Sequence, residues 1–144
     1  MTETTKYIGG EYKVLQQFGG AMGHVFLVEK QGIGFPFVLK SYQDIKPHLE
    51  ELFFTEVKNW TSFGVHQNIV KTLFAEKFDG KIFVAAEFVE GNENGENRLT
   101  NYIGKNLPLH LIIKWAVQFS YGMNHCLGKG MIAHSDIKPD NILI

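Results

Sequence analysis

The loop His134-Ser135-Asp136-Ile137-Lys138-Pro139-Asp140-Asn141 gathers two carboxylates, an ammonium and an amide between the apolar runs Met131-Ile132-Ala133 and Ile142-Leu143-Ile144. Asp136 can act as a base, Lys138 supplies a cation, and the amide oxygen of Asn141 is a hard ligand suited to a metal ion. A polar turn between two short strands would match this composition but does not account for the spacing. Upstream, Gly20-Ala21-Met22-Gly23-His24-Val25 forms the second half of a G-x-G-x-x-G-x-V pattern, in which missing side chains let backbone N–H groups approach phosphate oxygens. Phe18 stands where the first glycine would be, with Gly19 beside it, and a plain glycine-rich hairpin turn explains the same residues. Lys40 ends the run Phe37-Val38-Leu39-Lys40, where a solvated strand end would suffice. Glu56 falls between Leu52 and Trp60 at helical spacing, on the apolar side of a segment whose Glu50, Glu51 and Lys58 point away. A carboxylate there is costly unless paired, and Lys40 is the candidate partner, holding its ammonium over the phosphates of a nucleotide. The alternative is a rim position with Glu56 in water.

These residues need elements to position them. Tyr12 to Phe18, Val25 to Val28 and Phe35 to Lys40 are β-prone runs separated by glycine-rich breaks, and read as three antiparallel strands. Pro47 suits a first helical turn, with Leu49, Leu52, Phe53 and Trp60 following at helical spacing to about Trp60. Lys71 to Phe78 and Lys81 to Val89, joined by Asp79-Gly80, read as a hairpin that completes five strands. The segment from Gly91 to Asn97 holds no apolar residue and reads as a linker. A short helical stretch follows around Arg98 to Ile103. A long helix then runs from about Pro108 to Leu127 and stops at Gly128-Lys129-Gly130.

On that helix Leu109, Ile112, Ile113, Ala116, Met123 and Leu127 share one face, and Leu111, Trp115, Phe119 and Cys126 extend it sideways. The polar arc is limited to His110, Lys114, Gln118, Tyr121 and His125. A helix this apolar needs cover on several sides, and about 17 residues follow it, so the chain is expected to be a piece of a larger domain.

The whole composition sets the class. With 144 residues, 44% hydrophobic and 20% charged, the chain reads as one soluble globular domain or part of one. Its longest apolar run, Ile82 to Ala86, is far short of a membrane span. A net charge of −1, a single arginine (Arg98) and scattered lysines give no footprint for nucleic acid. The polar start is expected to carry no secretory signal, and the lone Cys126 excludes an internal disulfide framework, so a reducing cytoplasm is the expected location.

Lys40, Glu56 and H-x-D-x-K-P-x-N at 134–141 occur in the order and separation found in eukaryotic-like protein kinases. From about Tyr12 to Ile144 the chain resembles a protein serine/threonine kinase domain. The resemblance implies an α+β, protein-kinase-like fold. Residues 1–91 would form the small lobe with the hinge, a five-stranded antiparallel sheet plus one helix, and 92–144 the beginning of a helical large lobe. It also implies ATP and Mg2+ as cofactors, and a protein substrate with a serine or threonine acceptor. Gly20 and Gly23 would cover the phosphates, Val25 would flank the adenine, Lys40 would contact the α and β phosphates, and Glu56 would orient Lys40. Glu87-Phe88-Val89 would be the hinge whose backbone meets adenine, with Ala86 controlling the pocket behind it. Asp136 would accept the substrate hydroxyl proton, Lys138 would steady the transferred phosphoryl group, and Asn141 would hold magnesium. Lysine two residues after Asp136 is the family's serine/threonine form.

The departures from the pattern matter too. Ser135 replaces the arginine that would clamp a phosphorylated activation loop. The Asp-Phe-Gly segment expected beyond Ile144 lies outside the sequence, so the chain by itself is expected to be an inactive, incomplete domain. A nucleotide-binding or scaffolding pseudokinase is the rival reading, against which the intact Lys40, Glu56, Asp136 and Asn141 argue. A small-molecule kinase of similar architecture is a third, and Lys138-Pro139 argues against it.

Overall fold

A computed structural model describes residues 6–19, 24–42 and 46–144. The chain divides into two compact units: one runs to Gly64 and resumes over Lys71–Phe88, and the other is Val65–Val70 with Val89–Ile144.

The first unit is built on a single antiparallel sheet. Its strands are β1 (Tyr7–Ile8), β2 (Tyr12–Phe18), β3 (Val25–Lys30), β4 (Phe37–Tyr42), β5 (Thr72–Phe78) and β6 (Lys81–Glu87), in the order β1-β2-β3-β4-β6-β5. Six strands stand where five were expected. The extra one, β1, pairs Tyr7 with Lys13 and Ile8 with Tyr12 across a turn in which Gly9 and Gly10 have φ of 56° and 72°. Two residues are too few to display an alternating pattern, which is why the sequence conceals it. The expected hairpin is present, with Asp79 and Gly80 both at positive φ (49° and 76°), the geometry that matches strand twist.

Alternation along the strands assembles the core. Phe26 and Val28 on β3, Phe37 and Leu39 on β4, and Phe83 and Ala85 on β6 are buried on one face together with Ile8 and Tyr12. The opposite face of the central strands carries Val25, Lys40, Tyr42, Ile82 and Val84. A 3-10 turn at Pro47–Leu49 leads into α1 (Glu50–Ser62), which packs along β5.

In the second unit α2 spans Leu109–Gly128. Its packed stripe is Leu111, Trp115, Phe119 and Cys126, the arc expected at the side, together with Gly122, whereas Leu109, Ile112, Ile113 and Leu127 of the expected central face are exposed. Tyr102 meets Trp115 edge-on at 5.1 Å, and His66 stacks on His125 at 4.7 Å, so part of the nominally polar arc is packed too. Among the described residues no helix is long and apolar enough to cross a membrane.

The expected linker is a built loop. The Oδ1 of Asn92 accepts from the backbone N–H groups of Asn94 and Glu96, its Nδ2 donates to Glu96 Oε2, and Lys105 Nζ meets Glu96 Oε1 at 2.6 Å. Composition alone does not reveal such side-chain closure of a turn.

Candidate active site

In the first unit, sheet register rather than sequence proximity gathers the candidate nucleotide residues. Val25 stands opposite Phe18 on one side and Lys40 on the other, and Lys40 stands opposite Val84. Directly opposed residues share a face, so Phe18, Val25, Lys40 and Val84 form one row across four strands. Gly20 and Gly23 lie outside the described residues. β4 continues to Tyr42, so Lys40 sits inside the strand, not at its end.

Among the described residues, no ion pair joins Lys40 to Glu56 as the sequence led us to expect. Lys40 Nζ lies over the Tyr42 ring, 5.1 Å from its centroid, and the Tyr42 ring packs on Phe53 of α1 at 4.8 Å. Glu56 is exposed, the rim position that the sequence left open. The reason is the helix face. α1 buries Val57 (2% exposed) with Phe53, Phe54 and Trp60 half-buried, while Leu52 remains 66% exposed. The inward stripe is therefore centred on Val57 and the aromatic pair, one residue round from Glu56. Glu50, expected to point away, takes Lys77 Nζ of β5 at 2.9 Å on both carboxylate oxygens and ties the start of α1 to the sheet.

The hinge candidates have defined backbone partners. Glu87 N–H donates to Lys71 O at 2.9 Å, and Glu87 Oε1 accepts from Lys71 N–H at 2.7 Å. Ala86 stands opposite Val38 and Thr72. In the second unit, Val89 O accepts from Asn97 Nδ2 at 2.7 Å.

The segment 134–141 closes on itself within the second unit. Ser135 adopts φ 63°, a left-handed conformation costing a non-glycine residue about 1 kcal/mol, and this reverses the chain into Asp136. Asp136 N–H donates to His134 Nδ1 at 3.4 Å. Pro139 opens the 3-10 turn Pro139–Asn141 with its fixed φ, and Asn141 N–H donates to Lys138 O at 2.9 Å. The turn returns Asn141 to Asp136: Nδ2 donates to Asp136 Oδ2 at 2.7 Å and to Asp136 O at 2.9 Å. Lys138 Nζ meets the other carboxylate oxygen, Oδ1, at 3.0 Å. Each oxygen of Asp136 thus has its own donor. The Lys138 ammonium first, and the Asn141 amide second, hold the Asp136 carboxyl below its ordinary range and keep it ionised. Asp136, Lys138 and Asn141 are brought together as their spacing implied.

The sequence did not disclose what braces this loop from outside. Leu143 bridges Arg98 in antiparallel fashion, Leu99 N–H donates to Ile142 O at 2.9 Å, and Ile144 N–H donates to Asn97 O at 2.9 Å. The two strips of this short ribbon are separated by α2, and neither has a strand-like pattern of its own.

The family model described as protein kinase domain matches residues 12–144. The chain is 28% identical over 141 residues to serine/threonine-protein kinase Nek3 of Mus musculus, covering 92% of this chain and 25% of that protein. It is 30% identical over 148 residues to serine/threonine-protein kinase PrkC of Bacillus subtilis, covering 96% and 21% respectively. It therefore spans about a quarter or less of these relatives. The Mycobacterium tuberculosis PknI kinase domain, in its C20A_R136A double mutant, superposes with a TM-score of 0.80 at 20% identity, over 99% of this chain and 57% of that one, a likeness of fold. With Asp136, Lys138 and Asn141 in mutual contact and the family pattern running from Tyr12 to the last residue, the chain belongs to the protein kinase domain family and resembles its serine/threonine kinases.

Proposed function

We propose that this chain carries the nucleotide-binding sheet and catalytic loop of a cytoplasmic protein kinase that transfers the γ-phosphoryl group of ATP to serine or threonine hydroxyls of proteins. The observation that carries the reading is the Asp136 carboxylate, ionised and oriented by Lys138 on one oxygen and Asn141 on the other. A carboxylate so fixed orients an acceptor hydroxyl and takes its proton, while the nearby ammonium of Lys138 offsets charge on the phosphoryl group. The donor chemistry fits magnesium: Asn141 directs its Nδ2 to Asp136, leaving the amide oxygen as a hard ligand. When bound, the ion neutralises phosphate charge. Val25 and Lys40, opposed on β3 and β4, are the residues proposed to meet the nucleotide on the sheet, with Gly20, Gly23, Glu87 and Val89 as further contacts and Glu56, which does not meet Lys40 in this structure, as its partner once α1 is turned inward. A cytoplasmic location is supported by the single cysteine, Cys126, whose burial raises its thiol pKa and keeps it inert.

The test is steady-state kinetics of the full-length protein with a generic serine/threonine peptide, alongside nucleotide titration. Asp136→Asn keeps the shape and removes the charge, so turnover falls by about a hundredfold or more while ATP affinity stays within a few-fold. Lys40→Met lowers turnover and weakens ATP binding. Unchanged turnover in Asp136→Asn removes Asp136 from the mechanism. The exposure of Glu56 favours one second reading, a nucleotide-binding pseudokinase, identified by saturable ATP binding without turnover in the unmutated protein.

A further inference from the structure

The short ribbon that braces the catalytic loop ends in a side-chain contact. Its backbone rungs join Asn97 to Ile144, Arg98 to Leu143 and Leu99 to Ile142. One step further along this register Thr100 stands opposite Asn141, but there the backbone has already turned into the 3-10 turn Pro139–Asn141. Thr100 Oγ1 donates instead to Asp140 Oδ1 at 2.6 Å, a short, charge-assisted bond across 40 residues of sequence. We propose that Thr100 is a positioning residue of the catalytic loop: by holding the Asp140 carboxylate it fixes the turn that presents the Asn141 amide to Asp136.

The turn itself is lightly restrained. Two backbone bonds close it, from Asn141 N–H to Lys138 O (2.9 Å) and, longer, from Ile142 N–H to Pro139 O (3.3 Å). Asp140 is the residue immediately before Asn141, so a tether on its carboxylate limits the swing of the adjoining amide. Thr100 lies in the 3-10 turn Leu99–Tyr102, which packs on the Pro139–Asn141 turn and is fixed at its start by reciprocal bonds: Arg98 N–H to Asn101 Oδ1 and Asn101 N–H to Arg98 O, both 3.0 Å. The anchor thus has a side-chain bond at its start in addition to its backbone bond. Asp140, unused in the proposed chemistry, acquires a role as the handle.

This inference rests on the reading of Asp136 and Asn141 given above, and its test separates the two. Thr100→Val preserves volume and removes the hydroxyl, whereas Thr100→Ser keeps it. In the full-length protein Thr100→Val is expected to lower kcat about tenfold with KM for ATP and peptide unchanged within about twofold, and Thr100→Ser to retain nearly full kcat. Asp140→Ala should match Thr100→Val, and the double variant should fall no further, because both remove one bond. Hydrogen exchange provides a readout independent of turnover: the amides of Asn141 and Ile142 exchange faster in Thr100→Val, and those within α2 do not. Unchanged exchange and kcat in Thr100→Val, with Asp136→Asn inactive, overturn the positioning role and leave the kinase reading intact. Equal losses in Thr100→Ser and Thr100→Val, or a general rise in exchange through α2, also overturn it. Full activity in Asp136→Asn overturns the kinase reading itself.

Discussion

Gly122, in the middle of α2, is where the segment Val65–Val70 comes closest to the helix. A Cβ placed on Gly122 would lie 2.7 Å from the backbone oxygen of Asn68 and 3.5 Å from its Cβ. Neither neighbour is the free end of a flexible side chain, so Gly122→Ala must push the Asn68 backbone and α2 apart by several tenths of an ångström. Overpacking of this kind costs about 1 to 3 kcal/mol. Alanine also gains up to about 1 kcal/mol of helix propensity over glycine, which masks part of the cost. Gly128, in the same helix, supplies the reference: a methyl there would meet no described atom within 4 Å, so Gly128→Ala takes the propensity gain without a clash. The difference between the two variants isolates the steric cost. For a chain of this length each kcal/mol moves the midpoint by roughly 2 to 6 °C, so Gly122→Ala should melt several degrees below Gly128→Ala in circular dichroism scans. The ring stack of His66 on His125, at 4.7 Å, and the bond from Asn68 N–H to His66 Nδ1 should loosen with it. Equal midpoints for the two variants would refute the close approach of Asn68 to α2.

Leu39, fully buried between Phe26 and Ala85 in the strand register, should lose about 2 to 5 kcal/mol of stability on conversion to alanine, whereas Leu15→Ala, at an exposed position, should cost well under half of that in urea titrations. Glu96 carries a lowered pKa, chiefly through its bond to Lys105 and secondarily through Asn92. Its folded value lies below its unfolded one, so the stability it contributes is present above the ordinary glutamate range and is lost as pH falls through the folded value. In Lys105→Met the Glu96 carboxyl, followed by NMR titration, should move back up toward the ordinary value, and an unchanged titration would place the cause elsewhere.

What was legible in the sequence depended on how local its cause was. β2, the Asp79-Gly80 hairpin and α2 emerged close to their expected bounds, because each is governed by alternation, turn residues or helical spacing within its own segment. The orientation of α1 did not. Leu49, Leu52, Phe53 and Trp60 have helical spacing, but so do Phe53, Val57 and Trp60, and only the sheet beneath decides between two stripes about 45° apart. Likewise α2 packs through Leu111, Trp115, Phe119, Gly122 and Cys126, a choice that cannot be made from a helix apolar on most sides. The six-stranded sheet and the hydrogen-bonded loop after Gly91 were missed because two-residue pairing and side-chain closure leave no periodic trace.

The same distinction runs through the candidate site. Asp136, Lys138 and Asn141 lie within six residues, and the positive φ of Ser135 together with the proline-started turn brings them into mutual contact, with the segment 97–100 bracing that turn from outside. Their chemistry could be read from spacing because their geometry is produced by spacing. Lys40 and Glu56 belong to different elements, and their meeting depends on how far α1 is rotated and where it seats. In this structure the Tyr42 ring, packed on Phe53 and lying beneath the Lys40 ammonium, sits in contact with both the strand and the helix. A turn of α1 that carried Glu56 inward would have to move Phe53 off Tyr42 and lift Val57 out of its buried position. The loss of that apolar contact opposes the gain from pairing two charges, and desolvating a carboxylate adds to the cost. Spacing identifies the two charged residues, but the aromatic packing between their elements determines whether they meet.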